Sequence, residues 1–256
     1  MGRGAGVITT TAYYALLAGW VVVALVIFAV LLRFPAPYGR FVRPGWGPSL
    51  SSRVSWLLME APAVLVVTAL FALSSEKDAT TVVFCVIWNG HYVYRAFIYP
   101  WQLRSSRRVP VVVTASGAAF NVVNGFLQGW YLFHLVHYPA SWLLEPRFWA
   151  GLAVFLAGLT VNVYSDALLR RLRRDGGDEY LIPYGGFFRW VSSPNYFGEV
   201  VEWTGWAVLT WSPPGAVFAL WTAANLVPRA LVAHDWYRSR FPEYPEERRA
   251  ILPWIL

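Results

Sequence analysis

Apolar residues run along this chain in long, nearly unbroken stretches, without the strict alternation of a half-buried strand or the single stripe of a soluble helix. Seven stretches are predicted to be membrane-crossing helices: Tyr13–Leu32, Val54–Leu73, Thr81–Tyr99, Val109–Tyr131, Phe148–Ser165, Phe197–Trp211 and Pro214–Leu231. Each is roughly 15 to 23 residues long, against about 20 for a helix crossing hydrocarbon at right angles. The sixth is the shortest, and Pro213-Pro214 leaves only a tight turn before the seventh, so these two read as a helical hairpin. Only Arg3 precedes the first stretch and no small-residue cleavage site follows it, which predicts a retained helix and not a signal peptide. Without internal repeats or a soluble segment, the expectation is one all-α membrane domain over residues 1–256, its loops packed as a cap on one face.

Composition agrees with that pattern. The 256 residues are 57% hydrophobic, 18% aromatic and 14% charged. Soluble domains carry about a quarter charged residues. The net charge of +7 does not indicate nucleic acid, because no basic stripe alternates with exposed aromatics. Cys85 is the single cysteine, so no intrachain disulfide can form. The basic residues cluster instead in alternate loops: Arg33, Arg40, Arg43 and Arg53; then Arg104, Arg107 and Arg108; then Arg170, Arg171, Arg173, Arg174 and Arg189; then Arg229, Arg238, Arg240, Arg248 and Arg249. The positive-inside rule then predicts an outside N-terminus and a cytoplasmic C-terminus, which an odd number of spans satisfies.

The stretch Tyr184–Trp203 concentrates turns, aromatics and ionisable groups. Gly185 and Gly186 free the backbone, Pro194 ends extended structure, and Asn195 is predicted to cap a helix carrying Glu199 and Glu202. It closes a loop, Asp166–Tyr196, of about 30 residues, a length that marks function or disorder. Leu181, Ile182, Phe187, Phe188 and Trp190 make it too apolar for disorder.

Polar residues inside the spans are costly in hydrocarbon and are expected to face one another or an interior cavity. They are Glu60; Asn89, His91, Tyr92 and Arg95; Asn121, Asn124 and Gln128; Asn162; Glu199 and Glu202. Taken singly, Asn89 or Gln128 is equally well read as an interhelical hydrogen bond. His91, flanked by aromatics and without a second ligand at metal spacing, reads as a packing histidine, and no metal site is expected. Arg107, Arg170, Arg173, Asn195 and Arg229 converge near the cytoplasmic boundary, a grouping suited to phosphates. No Gly-x-Gly-x-x-Gly follows a strand and no Walker loop occurs, so a nucleotide would be held by the bundle itself. Arg248 and Arg249 are read instead as contacts to anionic lipid.

Four runs, taken together, resemble the steroid 5α-reductase family, the 3-oxo-5α-steroid 4-dehydrogenases: Asn121 to Tyr131, Asn162 to Arg173, Pro183 to Trp211, and the tail from Trp236-Tyr237 through Phe241-Pro-Glu-Tyr-Pro245 to Pro253. The resemblance covers roughly Glu60 to the C-terminus. It implies a seven-helix reductase of a conjugated enone that uses NADPH, with the nucleotide entering from the cytoplasm and a lipophilic steroid from the membrane. Carried over by motif, the cofactor residues would be Asn162, Asp166, Arg173, Tyr180, Asn195, Glu199, Arg229 and Tyr237, with Arg107, Asn124 and Arg248 as further members. Glu60 and Tyr92 would hold the substrate's ketone oxygen. The sequence departs from the family pattern at Met59, where glutamine is common, at Leu181, where an arginine can stand, and at Ala233, where histidine is frequent.

The chemistry fits such a pair. Hydride delivered to the β-carbon of a 4-ene-3-ketone leaves negative charge on the ketone oxygen, which preset hydrogen-bond donors in a dry cavity stabilise. A phenol donates, and so does a carboxyl kept protonated by burial. Glu60 and Tyr92 are expected at similar depth on antiparallel spans, about 9 to 10 Å in at a rise of 1.5 Å per residue. A plain interhelical Glu-to-Tyr hydrogen bond is the simpler alternative. Two other classes stay open. Arg189 to Glu199 also resembles an isoprenylcysteine-type methyltransferase that would use S-adenosylmethionine, and an apolar bundle suits a non-enzymatic sterol or lipid binder. Membrane lipid is the expected surrounding, and no obligate protein partner is inferred.

Overall fold

The computed structural model describes residues 8–34, 41, 45–75, 77–103, 108–175 and 180–256, with the side chains of 173–175 outside that set. Helix α1 spans Thr10–Arg33, α2 Ser52–Leu73 and α3 Ala79–Val93. A π-helical turn, Tyr94–Ile98, carries α3 into the short α4, Tyr99–Gln102. Helix α5, Val111–Trp130, runs into a second π-helical turn, Tyr131–Leu135. Helix α6 spans Pro146–Asp175, α7 Pro194–Thr210 and α8 Pro213–Arg240. Five helical segments, α1, α2, α5 with its π turn, α6 and α8, are long and apolar enough to cross a membrane. The all-helical membrane architecture read from the sequence therefore stands, while α3, which continues through its π turn into α4, and the 17-residue α7 are not among these five.

Several expected boundaries move. Helix α6 continues to Asp175, so Asp166 belongs to a helix and not to the long loop. The N-cap of α7 is Ser193, not Asn195: proline is pre-organised for the first helical position, Pro194 takes it, and Asn195 is thereby carried into the first turn. A two-stranded antiparallel ladder also pairs Ser49–Ser51 (β1) with Arg108–Pro110 (β2), so Val109 and Pro110, expected to open the fourth span, belong to a strand and α5 starts at Val111. The α7–α8 hairpin is as predicted. Trp211 turns through the left-handed region at φ 47, and the Ser212 hydroxyl then caps α8 by accepting from Gly215 N at 3.1 Å.

Glycine sets the closest helix contact. Gly151 and Gly158 of α6 meet Gly205 and Gly198 of α7 so closely that a Cβ on any of them would collide with backbone of the other helix. Small residues let helices in lipid gain van der Waals contact and bring the polar groups they carry together. Behind this seam lies an aromatic core of Phe84, Trp88, Trp203, Trp206 and Phe218, all buried. Gln128 is the interhelical tie the sequence allowed: its amide donates to Pro214 O at 2.7 Å and accepts from Trp206 Nε1 at 2.9 Å, joining α5, α7 and α8. Asn89 likewise accepts from Thr68 of α2 at 3.1 Å.

Candidate active site

Helices α2, α3 and α5 carry the first part of the site. Asn121 of α5 donates to Met59 O at 2.7 Å and to Glu60 Oε2 at 3.3 Å, so the α2 carboxylate is oriented from the neighbouring helix. Pro62 lies within α2 just beyond and has no N–H for that turn. Tyr92 of α3 is 4% exposed, its ring 4.8 Å from Trp88 and 5.7 Å from Trp203. Glu60, Glu199, Arg95 and Glu202 all act electrostatically on its hydroxyl. No hydrogen bond joins Glu60 to Tyr92 among the described residues, so the simple Glu-to-Tyr tie is not made.

Arg95 joins this part to the next. The π-helical turn after Tyr92 is the kind of helix defect that collects at functional sites. Arg95 lies in it, 8% exposed, with its guanidinium 4.6 Å from the Trp56 ring and 4.9 Å from the Tyr99 ring. It pairs with Asp166 Oδ2 of α6 at 3.7 Å and also acts on Glu199 and Glu60. Asn195, displaced from its expected capping role, donates to Asp166 Oδ1 at 3.0 Å. Asn162 donates to Asn195 O at 2.9 Å and to Glu199 Oε2 at 3.4 Å. Glu60, Tyr92, Arg95, Asn162, Asp166, Asn195 and Glu199 thus form one network across α2, α3, α6 and α7.

The third part is a set of arginines held against aromatic rings, together with the C-terminal tail. Arg170 lies over Tyr99 at 5.5 Å, and Arg229 donates to the Tyr196 hydroxyl at 3.4 Å. Arg248 is 2% exposed between the rings of Tyr184 and Tyr244, at 4.9 and 5.1 Å, which overturns the lipid-contact reading for it, whereas Arg249 is exposed. The tail is strapped to the entry of α7: Arg249 N donates to Trp190 O at 2.9 Å, Ser192 N to Arg249 O at 2.8 Å and Ser193 N to Ala250 O at 3.1 Å. The Ser192 hydroxyl bonds His234 Nδ1 at 2.6 Å and the Tyr244 hydroxyl at 2.7 Å. Burial pushes the Tyr244 phenol above its ordinary range, against the opposing pull of its bonds to Ser192 and Arg248. Tyr237 stacks on Tyr244 at 5.3 Å, and Tyr180 meets Trp236 edge-on at 5.2 Å.

Of the residues expected from the sequence, Arg107 and the side chain of Arg173 lie outside the described residues. Asn124 is buried on α5 one turn beyond Asn121, and its Nδ2 has no hydrogen-bond partner among the described residues. Arg170 Nη1 and Arg248 Nε and Nη1 are likewise buried donors without a hydrogen bond among the described residues. Donors spent on nothing in a protein interior are costly, and they suit a ligand rich in acceptor oxygens. No group of three or more His, Cys, Asp or Glu able to hold a metal occurs among the described residues. Two features of the site were not singled out from the sequence. Arg95 was noted only as an intramembrane charge, although its spacing of three from Tyr92 puts both on one helix face. His234 carried no signal, because its partners Ser192 and Tyr244 are distant in sequence.

A helical membrane bundle that gathers carboxylates, a phenol and arginines around one partly buried network belongs to the class of membrane-embedded enzymes. Comparison with known proteins supplies the family. The family model described as 3-oxo-5-alpha-steroid 4-dehydrogenase matches residues 107–256. The chain is 40% identical to the steroid 5-alpha-reductase DET2 of Arabidopsis thaliana over 238 residues, 89% of this chain and 90% of the relative. It is 41% identical to the protein of the same name from Gossypium hirsutum over 254 residues, 96% and 98% of the two chains. It is 35% identical to the human 3-oxo-5-alpha-steroid 4-dehydrogenase 1 over 236 residues, 91% of each. The chain belongs to the 3-oxo-5-alpha-steroid 4-dehydrogenase family, a family of oxidoreductases.

Proposed function

We propose that this enzyme reduces the 4,5 double bond of 3-oxo-4-ene steroids to 5α-reduced 3-oxosteroids, with NADPH as reductant. The observation that carries the reading is the chain of contacts, partly buried, in which Asp166 meets Arg95 and Asn195, Asn162 meets Asn195 and Glu199, and Arg95 shares the Tyr99 ring with Arg170, beside Tyr92 and the Asn121-held Glu60. When bound, NADPH supplies the hydride for the β-carbon. Its holding groups would be Asn162, Asp166, Asn195, Glu199, Arg229 and Tyr237, with Tyr180 and Arg173, and with Asn124, Arg107 and Arg248. The unspent donors of Asn124, Arg170 and Arg248 support that fit, since phosphates and a carboxamide accept where the protein does not.

Tyr92, and Glu60 acting as a protonated carboxyl, donate to the ketone oxygen and stabilise the charge that develops there, and the resulting enol takes a proton at the α-carbon; each donor is fixed beforehand, Tyr92 by the Trp88 and Trp203 rings and Glu60 by Asn121. The positive charge of Arg95, beside Asp166 at 3.7 Å, adds to the field in which that negative charge develops. The aromatic core keeps water from the reacting atoms. In this reading the bundle crosses the membrane seven times, with α3 and α7 as the shorter spans, and the set of arginines faces the cytoplasm with the C-terminus. The steroid enters from the lipid. Family membership favours this account over an S-adenosylmethionine methyltransferase or a passive sterol binder. Detergent-extracted protein given NADPH and a panel of 4-ene-3-ketosteroids is expected to form 5α-dihydro products as NADPH is consumed. No turnover of any enone would overturn the reading.

A further inference from the structure

His91 and Glu202 form a second buried polar pair, apart from the network around Arg95 and Asp166. His91 Nδ1 of α3 lies 2.5 Å from Glu202 Oε1 of α7, and the two residues are 5% and 0% exposed. A histidine and a carboxylate bonded in a membrane interior are expensive to desolvate, and such residues by default mark function. Gln128 shows what simple interhelical glue looks like here, with both ends of its amide bonded. Glu202 does not match it, because its Oε2 is buried with no hydrogen-bond partner among the described residues. That cost is hard to account for by packing alone.

The surroundings indicate what the pair acts on. His91 precedes Tyr92, and the two rings meet edge-on at 5.0 Å. Both rings also rest on Trp203, the residue after Glu202, at 4.7 and 5.7 Å. Glu202 acts electrostatically on the Tyr92 hydroxyl and on Glu199, one helical turn before it. On its other side the Glu202 backbone is pressed against Gly158 of α6, where even a Cβ has no room, so the α7 end of the pair cannot shift. A rigid anchor on α7 therefore grips the residue beside Tyr92.

We propose that the His91–Glu202 pair is a clasp that positions the Tyr92 hydroxyl against the substrate's ketone oxygen, His91 and Glu202 being positioning residues that act through Tyr92. The inference rests on the enone-reductase reading above.

The test is a double-mutant cycle on the full chain in detergent or nanodiscs, with NADPH and progesterone as the 4-ene-3-ketosteroid, read by kcat, KM and NADPH affinity. Glu202→Leu, which removes the bond, is expected to lower kcat about tenfold with NADPH affinity held within about twofold, the pattern of a lost transition-state contact. Glu202→Gln, which can still bond His91, is expected to recover most of that rate. In a Tyr92→Phe background the added cost of Glu202→Leu is expected to shrink to less than about twofold, since residues that act as one unit are not additive. An equal cost in both backgrounds, or a fall in NADPH affinity as large as the fall in kcat, overturns the clasp. If Glu202→Leu does not fold, His91→Phe carries the same cycle, and failure of both to fold makes the pair a folding element and overturns the proposal. A parent protein that turns over no enone overturns the reductase reading itself.

Discussion

Gly198→Ala tests whether the glycine seam between α6 and α7 sets the geometry of the site. The new Cβ would lie 2.5 Å from Asn162 N and 2.7 Å from Gly158 O, both backbone atoms of α6 that no rotamer change can move aside. Ordinary contact begins near 3.4 Å, so α7 must withdraw by about 0.9 Å at this point. Overpacking of this kind costs about 1–3 kcal/mol. The functional cost is expected to be larger, because the same step pulls on the Asn162 bonds to Asn195 O at 2.9 Å and Glu199 at 3.4 Å. A misplacement of about 1 Å in a catalytic constellation costs on the order of a hundredfold in rate. Gly90→Ala is the control, since nothing lies within 4 Å of its Cβ position. Removing a helical glycine there is expected to be neutral or mildly stabilising, by up to about 1 kcal/mol. The assay is thermal unfolding of the purified protein, followed by NADPH binding and enone reduction per folded molecule. A Gly198→Ala protein as stable and active as Gly90→Ala would refute the claim that helix contact positions the network.

The other predictions concern the site itself. Glu60→Gln and Tyr92→Phe are each expected to fold and to bind NADPH while lowering enone reduction by at least about tenfold, or ~1.4 kcal/mol in the barrier; poor folding with normal turnover per folded molecule would make the pair structural. Arg173→Ala is expected to weaken NADPH binding far more than steroid binding and to narrow the preference over NADH, because a 2′-phosphate needs cationic partners; equal affinity for both nicotinamides in the parent would contradict it. Tyr244→Phe is expected to loosen the tail by about 0.5–1.5 kcal/mol, the worth of its bond to Ser192, measured by limited proteolysis after Arg240. Because burial raises the Tyr244 phenol above its ordinary value near 10.0, the folded protein keeps this proton when the unfolded chain loses it. Its contribution is therefore complete below pH 10 and declines at higher pH, a decline that a pH series of melting temperatures detects and Tyr244→Phe removes.

The helices were legible because long apolar runs need no tertiary information, and the bounds of α1 and α2 differ from the predicted ones by at most three residues. The start of α7 is ambiguous in sequence because a proline both ends extended structure and suits the first helical position, the place Pro194 takes. Loss of the cap then freed Asn195 to reach Asp166, which hydropathy could not reveal. The extension of α6 to Asp175 was hidden because a helix that leaves the apolar zone turns charged without ending. In the site, intramembrane cost alone picked out Glu60, Tyr92, Asn162, Glu199 and Glu202. It could not pair them: which polar group meets which depends on helix rotation, so the His91–Glu202 bond and the Arg95–Asp166 pair appear only in three dimensions. The four glycines of the seam stand in the sequence at spacings of seven, but only the packed helices give those spacings a meaning.

The central claim, hydride delivery to the β-carbon of an enone held by Glu60 and Tyr92, is met most directly by isotope transfer. NADPH carrying deuterium at the transferring position of the nicotinamide C4 would be incubated with the protein and a 4-ene-3-ketosteroid, and the product analysed by mass spectrometry and NMR. The account predicts one deuterium at C5 of the 5α-reduced steroid, with the parent ketone retained and the yield sharply reduced in Tyr92→Phe. A product without deuterium, with the label at another carbon, or formed equally well by Tyr92→Phe would contradict it.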